Sequence, residues 1–220
     1  MIKRKTILVC LVMYVIWLAP VFSQDAGRDT GFGIRLTGEM TTKMKGVHYE
    51  FVGDTFFAFV PNSGFQGMQL GGFYKAFLHQ SQAFVEAQVG LYYMGQKRSS
   101  FFLFWDNGTP PEKYVDNYDI DEWGTTGSIV AGYNFPIGNK FSLDVFSGPE
   151  LRAAFSCKND QGKDMLDWHY NRWLMRWKLG TGFNYRHVGV QLYGSYDVTK
   201  KSKQVNTRDF TLSLGLGYKF

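Results

Sequence analysis

Four histidines and a run of carboxylates are the residues of this chain whose types would support chemistry. His48, with Asp54 and Ser63, supplies the base, acid and hydroxyl that acyl transfer uses. Such groups work only in a fixed geometry, and these three follow no recognisable spacing. We interpret them as dispersed polar loop residues, so no catalytic residue is predicted.

The carboxylates Asp116, Asp119, Asp121 and Glu122 lie close together in the sequence and could hold a divalent cation. A calcium-binding loop needs oxygen ligands at alternate positions, and Trp123 stands where one of them belongs. We therefore predict a solvated acidic loop, with no metal and no cofactor.

The N-terminus has the order of a secretory signal peptide. Lys3, Arg4 and Lys5 precede an apolar stretch at residues 7–19, and Ser23 suits cleavage. We predict a removed signal over residues 1–23 and one domain over residues 24–220.

Export changes how the charge and the cysteines are interpreted. Losing Lys3, Arg4 and Lys5 lowers the formal net charge from +5 to +2, so nucleic acid is not an expected partner. Cys10 leaves with the signal. Cys157 then has no partner for an intrachain disulfide, and we interpret it as a tolerated loop cysteine.

The strands that must position these residues are predicted from apolar residues that recur at every second position. In the last twelve residues every second side chain is apolar, from Phe210 to Phe220, with Asp209, Thr211 and Lys219 on the other face. Eight segments share this alternation. Their connections are short at 78–82, 136–140 and 186–187, and long at 41–65, 94–122, 156–171 and 199–207. This pattern predicts an all-β, eight-stranded antiparallel up-and-down barrel that crosses a membrane.

A soluble β-sandwich or lipocalin-like barrel would also alternate, and the aromatic residues favour the membrane form. They lie on the apolar face near the strand ends, as two interfacial girdles would. The residues concerned are Tyr133, Phe135, Trp173, Trp177, Tyr185, Tyr218 and Phe220.

The C-terminal sequence Leu-Gly-Leu-Gly-Tyr-Lys-Phe, with Tyr218 and the terminal Phe220, resembles the assembly signal of outer-membrane barrels. The mature chain as a whole is similar to small PorT-like and OmpA-like or OmpX-like eight-stranded proteins. The resemblance implies the outer membrane of a Gram-negative bacterium, with extracellular loops and periplasmic termini. It also implies insertion by the barrel assembly machinery, and contact with outer-membrane lipid and lipopolysaccharide.

The polar face carries six cations and six anions, which we predict to form a plug of ion pairs inside the barrel. They are Arg35, Glu39, Lys75, Glu86, Asp144, Glu150, Arg152, Arg176, Lys178, Asp197, Asp209 and Lys219. An eight-stranded barrel is just wide enough for side chains to fill. A narrow channel is the alternative. Pro149 would fall within a strand, so we expect a bulge near Ser147 and Gly148, or an earlier end to the embedded part.

Two apolar stretches in the long connections are candidate interaction sites. They contain Phe56, Phe57 and Phe59 in the first, and Phe101, Phe102, Phe104 and Trp105 in the second. The first could supply two extra membrane strands, at Val47 to Phe51 and Thr55 to Val60. Each is too short to span the membrane, so we expect a hairpin that rises above the membrane or packs over the mouth of the barrel. Lys97, Arg98, Lys200, Lys201 and Lys203 could contact lipopolysaccharide phosphates.

The expected function is structural, or the docking of another envelope protein through these loops, without enzymatic activity. The alternative is a lipid A deacylase or acyltransferase. Such deacylases carry His and Ser two residues apart, whereas His169 is followed by Tyr170 and Asn171.

Overall fold

The computed structural model describes residues 30–45, 48–52, 55–60, 65–78, 81–104, 112–138, 140–166, 170–201 and 208–220. At 42–45, 48–52, 55–60, 65–66, 96–104 and 112–118 the description covers the backbone alone. The strands are β1 (Gly31–Lys45), β2 (His48–Val52), β3 (Thr55–Val60), β4 (Phe65–Phe77), β5 (Ala83–Phe104), β6 (Glu112–Ile137), β7 (Phe141–Asn159), β8 (Trp173–Tyr185), β9 (Val188–Asp197) and β10 (Arg208–Lys219). In these ranges no helix is long and apolar enough to cross a membrane.

Eight of the strands close into an antiparallel barrel, which confirms the predicted fold. The order is β1-β4-β5-β6-β7-β8-β9-β10, and β1 pairs with β10 to complete the ring. Leu36 on β1 lies opposite Leu70 on one side and Leu216 on the other. Neighbouring strands in the barrel are consecutive in the chain, except where β1 meets β10 and where β2 and β3 are inserted between β1 and β4.

The alternation of the sequence sets which face each side chain occupies, because successive residues of a strand point to opposite sides. On β8, Leu179 is 62% exposed on the outside, while Arg176 is 2% exposed on the inside. All eight barrel strands follow this rule. The barrel is therefore apolar outside and polar inside, the reverse of a soluble barrel.

The strands β2 and β3 form the expected hairpin in the first long connection. They are not part of the ring: β3 pairs with the end of β5, with Phe57 opposite Phe102 and Phe56 opposite Leu103. The two apolar stretches are thus joined in one sheet. Trp105 lies outside the described residues.

Residues 94–122 are mostly strand, so the long loop expected there is wrong. β5 and β6 remain paired from Gln96 opposite Ile120 to Phe104 opposite Glu112. Once two antiparallel strands leave the barrel together, each satisfies the other's backbone hydrogen bonds without further support. The polar composition of this stretch suggested a loop, but polar residues can also form paired strands.

The bulge expected near Ser147 and Gly148 is also wrong. The β7–β8 register runs unbroken through Pro149, which lies opposite Trp177. On the other side, the β6–β7 register is the same before and after the proline. Gly148 allows this, because a Cβ there would lie 2.2 Å from the carbonyl oxygen of Ile129. The β6–β7 irregularity instead lies between Trp123 and Gly124.

Candidate functional site: the barrel interior

Glu150 lies at the centre of the interior, on β7, and contacts three cations. Its carboxylate accepts from Arg152 Nε at 2.8 Å and from Arg176 at 3.1 Å, and it pairs with Lys178. Arg152 also pairs with Glu39 across the barrel. Glu150 is 1% exposed. Charges this deeply buried are tolerated only when they are paired, since an unpaired ion costs several kcal/mol.

A second group of charges lies above Glu150, toward the end of the barrel that carries the long connections, here called the loop end. Arg176 Nε lies 3.1 Å from Asp197 Oδ1, and Asp197 Oδ2 accepts from the backbone N–H of Asp209 at 3.0 Å. Lys201 lies 3.8 Å from Asp209 and 3.9 Å from Glu122. This group joins β6, β8, β9 and β10.

A third group lies below Glu150, toward the tight connections, here called the short-turn end. Arg35 donates two hydrogen bonds to Glu86, at 2.6 and 3.1 Å. Lys75 Nζ lies 2.6 Å from Asp144, whose oxygens also accept from Asn134 and Asn184, each at 2.7 Å. These pairs cross between strands distant in sequence and therefore fix the cross-section of the barrel.

Inward-facing aromatic rings fill the space between the three groups. Lys75 Nζ lies 4.0 Å from the ring centre of Phe84, and the Arg35 guanidinium lies 4.3 Å from that of Phe73. Tyr92 is 4.9 Å from Arg152 and donates a 2.7 Å hydrogen bond to Glu122. The ring faces add cation–π attraction where water is excluded.

Eleven of the twelve interior candidates named from the sequence are buried: Arg35, Glu39, Lys75, Glu86, Asp144, Glu150, Arg152, Arg176, Lys178, Asp197 and Asp209. Lys219 is partly exposed at the short-turn end. The sequence reasoning missed Glu122 and Lys201, placing one in a solvated loop and the other on the rim. Lys201 is 7% exposed. Counting these two and Lys219, the described part of the interior holds seven cations and seven anions.

A small apolar cluster, here called the cap, lies at the loop end. Residues after β7 fold back so that Met165, Leu166 and Tyr170 pack on Ile120, Ala154 and Cys157. Met165 N–H donates to the Cys157 carbonyl at 2.7 Å. Cys157 belongs to β7 and is fully buried, so its assignment to a loop is wrong. The strand continues four residues further than expected, to Asn159, and the returning chain packs against Cys157 on its inward face.

At the short-turn end, the described residues line a cavity of about 520 Å³. Arg35, Lys75, Glu86 and Asp144 lie deeper inside it, and Lys140, Arg186 and Lys219 are also in its lining. The cavity and the cap lie at opposite ends of the barrel, and the three groups of buried ion pairs lie between them. Among the described residues, the structure shows no cluster of His, Cys, Asp and Glu that could hold a metal ion.

The outer surface carries aromatic pairs near both ends of the strands. At the short-turn end, the rings of Phe141 and Tyr185 are 4.7 Å apart. At the loop end, those of Tyr93 and Trp123 are 4.8 Å apart, and Tyr93 donates to Asp121 at 2.6 Å. Exposed aliphatic side chains such as Leu179 and Leu214 lie between these levels. An apolar belt between two aromatic levels is the surface of a barrel that crosses a bilayer.

The residues considered for catalysis are not brought together by what the structure describes. Asp54, Ser63, His79 and His169 lie outside the described residues, and His48 is described by its backbone alone. His187 is exposed at the short-turn end, with Nδ1 3.1 Å from the carbonyl oxygen of Lys219. The signal region at residues 1–23 also lies outside the description.

No protein-family model matches the chain, and no curated protein matches it. Among solved structures, it is similar to Neisserial surface protein A at 12% identity and a TM-score of 0.45, covering 89% of this chain and 100% of that one. It is also similar to Ail, the attachment invasion locus protein of Yersinia pestis, solved with the heparin analogue sucrose octasulfate. That match has 14% identity and a TM-score of 0.41, and covers 87% and 97% of the two chains. Values at this level assign neither a family nor a function.

Proposed function

We propose that the protein is an integral outer-membrane β-barrel of a Gram-negative bacterium that docks another envelope protein through its loop end. Short turns face the periplasm and long connections face outward in barrels of this kind. On that pattern both termini are periplasmic. A role like that of PorT-like proteins in a secretion apparatus is the finer form of this proposal, and it rests on the family resemblance of the mature chain alone.

The buried charges favour a structural barrel over a channel. Glu150 with its three cations occupies the middle of the interior, and the cap lies at one end. An ion entering from the short-turn end would have to break these pairs and enter a space that aromatic rings already fill. We therefore assign the ion pairs to stabilising the barrel.

The observation that carries the docking proposal is the sheet at the loop end. The β2–β3 hairpin extends it by pairing with residues 99–104 of β5, and β6 pairs with the other edge of the same segment. Two stretches that are apolar in sequence are thereby joined in one sheet outside the barrel ring. Apolar sequence that the ring does not need for its fold is typical of an interaction site.

Affinity purification from native membranes tests this proposal. In the test variant, residues 101–105 are replaced by a Gly-Ser segment, and in the matched control the exposed turn at residues 160–163 is replaced in the same way. We expect a specific envelope protein to co-purify with the wild type and the control, and to be lost with the test variant. Retention of the same partner by a folded test variant would contradict the proposal. Heat-modifiable migration in gels establishes that each variant is folded.

Lipopolysaccharide and the barrel assembly machinery are further proposed partners. Lys97, Arg98, Lys200 and Lys203 are the candidates for lipopolysaccharide phosphates, and Lys201 is removed from this set because Glu122 and Asp209 pair with it. Insertion by the barrel assembly machinery would depend on Tyr218 and Phe220.

Lipid A turnover by the purified protein, lost on His169→Ala, would instead favour the enzymatic alternative.

A further inference from the structure

The turn between β8 and β9 places a cation beside an aromatic ring on the outer wall of the barrel. Tyr185 is the last residue of β8 and is 41% exposed on the outer face. The guanidinium of Arg186, which is itself exposed, lies 5.7 Å from the centre of the Tyr185 ring. A cation over a tyrosine face is held there by the electrons of the ring. The positive charge therefore lies at the outer wall, beside the aromatic level of the short-turn end.

From Tyr185, an apolar patch continues toward the middle of the lipid-facing belt. The ring of Phe141 lies 4.7 Å from that of Tyr185 and 5.6 Å from that of Phe183. These three side chains are each at least 41% exposed, and Leu143 lies opposite Phe183 on the neighbouring strand. Aromatic rings at the end of such a belt lie at the level of the lipid headgroups. Arg186 is thus at the headgroup end of a surface that acyl chains can cover.

A second cation lies in the adjacent turn. Arg186 N–H donates to the carbonyl oxygen of Lys140 at 3.2 Å, so the β6–β7 and β8–β9 turns are neighbours. The Lys140 side chain is exposed. The described side-chain carboxylates at this end, Glu86 and Asp144, lie inside the barrel and pair with interior cations. Two cations at the outer rim therefore have no described side-chain carboxylate to neutralise them.

The conformation of Arg186 is a separate observation. Its φ is +52°, in the left-handed region, and among the described residues it is the one non-glycine residue there. It is the first of the two residues that connect β8 and β9, a position where Gly or Asn would cost less. Backbone strain of this kind is typical of positions where the side chain serves a function.

We propose that Arg186 and Lys140 bind the headgroup of an anionic phospholipid. The first part of its acyl chains lies against the rings of Phe141, Phe183 and Tyr185. This inference rests on the membrane location proposed above, in which the short-turn end lies in the periplasmic leaflet. The ligand is a lipid and not a free phosphate ion, because the aromatic patch joins the two cations to the lipid-facing belt. Cations at such a surface attract anionic lipids more strongly than zwitterionic ones.

Titration of phosphatidylglycerol into phosphatidylcholine bicelles that hold the purified full-length barrel tests the site through amide chemical shifts. We expect the amides of Lys140, Arg186 and Val188 to shift saturably. Half-saturation there comes at a lower phosphatidylglycerol fraction than for the amide of Lys200, an exposed residue at the loop end. Inorganic phosphate added to pure phosphatidylcholine bicelles separates the two sources of the anion. Equal saturation by inorganic phosphate, or no saturable shift with phosphatidylglycerol, would overturn the proposal.

The variant Arg186→Gln removes the charge and keeps the Cβ of the turn, so the urea midpoint of the barrel stays the same. The phosphatidylglycerol fraction at half-saturation rises about fivefold, the effect expected for one cation near an anionic lipid. Arg186→Lys keeps the charge and binds more tightly than Arg186→Gln. Lys200→Gln is the matched control and leaves the shifts at the short-turn end unchanged. Equal half-saturation in Arg186→Gln and wild type would contradict the assignment. The variant replaced at 101–105 keeps these shifts, so failure of the docking proposal is distinguishable from failure of this one.

Discussion

Replacing Glu150 by glutamine removes one negative charge from the centre of the barrel while keeping the shape of the side chain. Arg152 keeps Glu39 as a partner, and Arg176 keeps Asp197. Lys178 loses its described carboxylate partner and retains a 3.4 Å contact with the Ser128 hydroxyl. Breaking a buried ion pair on one side costs about 3–5 kcal/mol, because the remaining ion is buried without compensation. We expect a loss of this size in the free energy of unfolding.

The assay is equilibrium unfolding in urea of the barrel folded into phosphatidylcholine vesicles, followed by tryptophan fluorescence. Asp160→Asn is the control, since it removes a carboxylate at an exposed turn and changes stability by less than about 0.5 kcal/mol. Adding Lys178→Met to the glutamine variant removes the uncompensated cation. The double variant recovers about 1–3 kcal/mol, the coupling expected for residues in one network.

A Glu150→Gln barrel as stable as the Asp160→Asn control would refute this reasoning. It would show that water or neighbouring groups already screen Glu150, and that the interior is not a dry ion-pair plug. Additive effects of Glu150→Gln and Lys178→Met would refute the pairing of these two residues in particular.

Three further outcomes follow from the same geometry. Gly148→Ala destabilises the barrel by about 1–3 kcal/mol in the same assay, because its Cβ would meet the β6 backbone, whereas Gly38→Ala, with nothing within 4 Å, is close to neutral. Leu179→Arg, midway along β8 on the outer face, costs about 2–4 kcal/mol, and Val188→Arg, beside the short turn, costs about 0–1 kcal/mol. Planar bilayers containing the wild-type protein show no conductance above background, and a conductance abolished by Arg176→Ala would contradict the plug.

The ring of strands could be predicted from the sequence because the two faces of each strand differ so sharply in polarity. Leu212, Leu214 and Leu216 alternate with Ser213 and Gly215, and a shift of one residue would place every leucine in the polar interior. The period of two therefore fixes both the strand and its inward face. The same pattern located Arg176 and Lys178 on the side where the structure has them.

The pairing of those charges could not be predicted, because it depends on strands that are distant in sequence. Arg152 reaches Glu39 across the barrel, and Lys75 reaches Asp144, only once the ring has closed. Glu122 was missed because β6 already begins at Glu112, and Lys201 was missed because it lies in the connection after β9, where no strand period indicates that a side chain is buried. A signal was present in Tyr92, whose inward-facing hydroxyl donates to Glu122, two residues before its pairing partner Gly124 on β6.

At the loop end, amino-acid composition alone did not predict where the strands extend or which residues are buried. Five of the nine residues at 112–120 are charged or carry an amide, yet the segment pairs with β5 over its whole length. Cys157 looked like a loop residue because few apolar residues surround it in sequence. It is buried by Met165 and Leu166, which return to it from beyond the end of β7.

The outer face of the alternating strands meets lipid, and the middle of the inner face, around Glu150, excludes water. Single cysteines placed in turn at residues 175–182 of β8, in a Cys157→Ala background, can be spin-labelled in the vesicle-embedded barrel. Their accessibility to oxygen and to a water-soluble nickel chelate then tests the claim. We predict high oxygen accessibility at Met175, Trp177, Leu179 and Thr181, and low accessibility to both reagents at the residues between them. Nickel-chelate accessibility at Leu179, or no alternation along β8, would contradict the account.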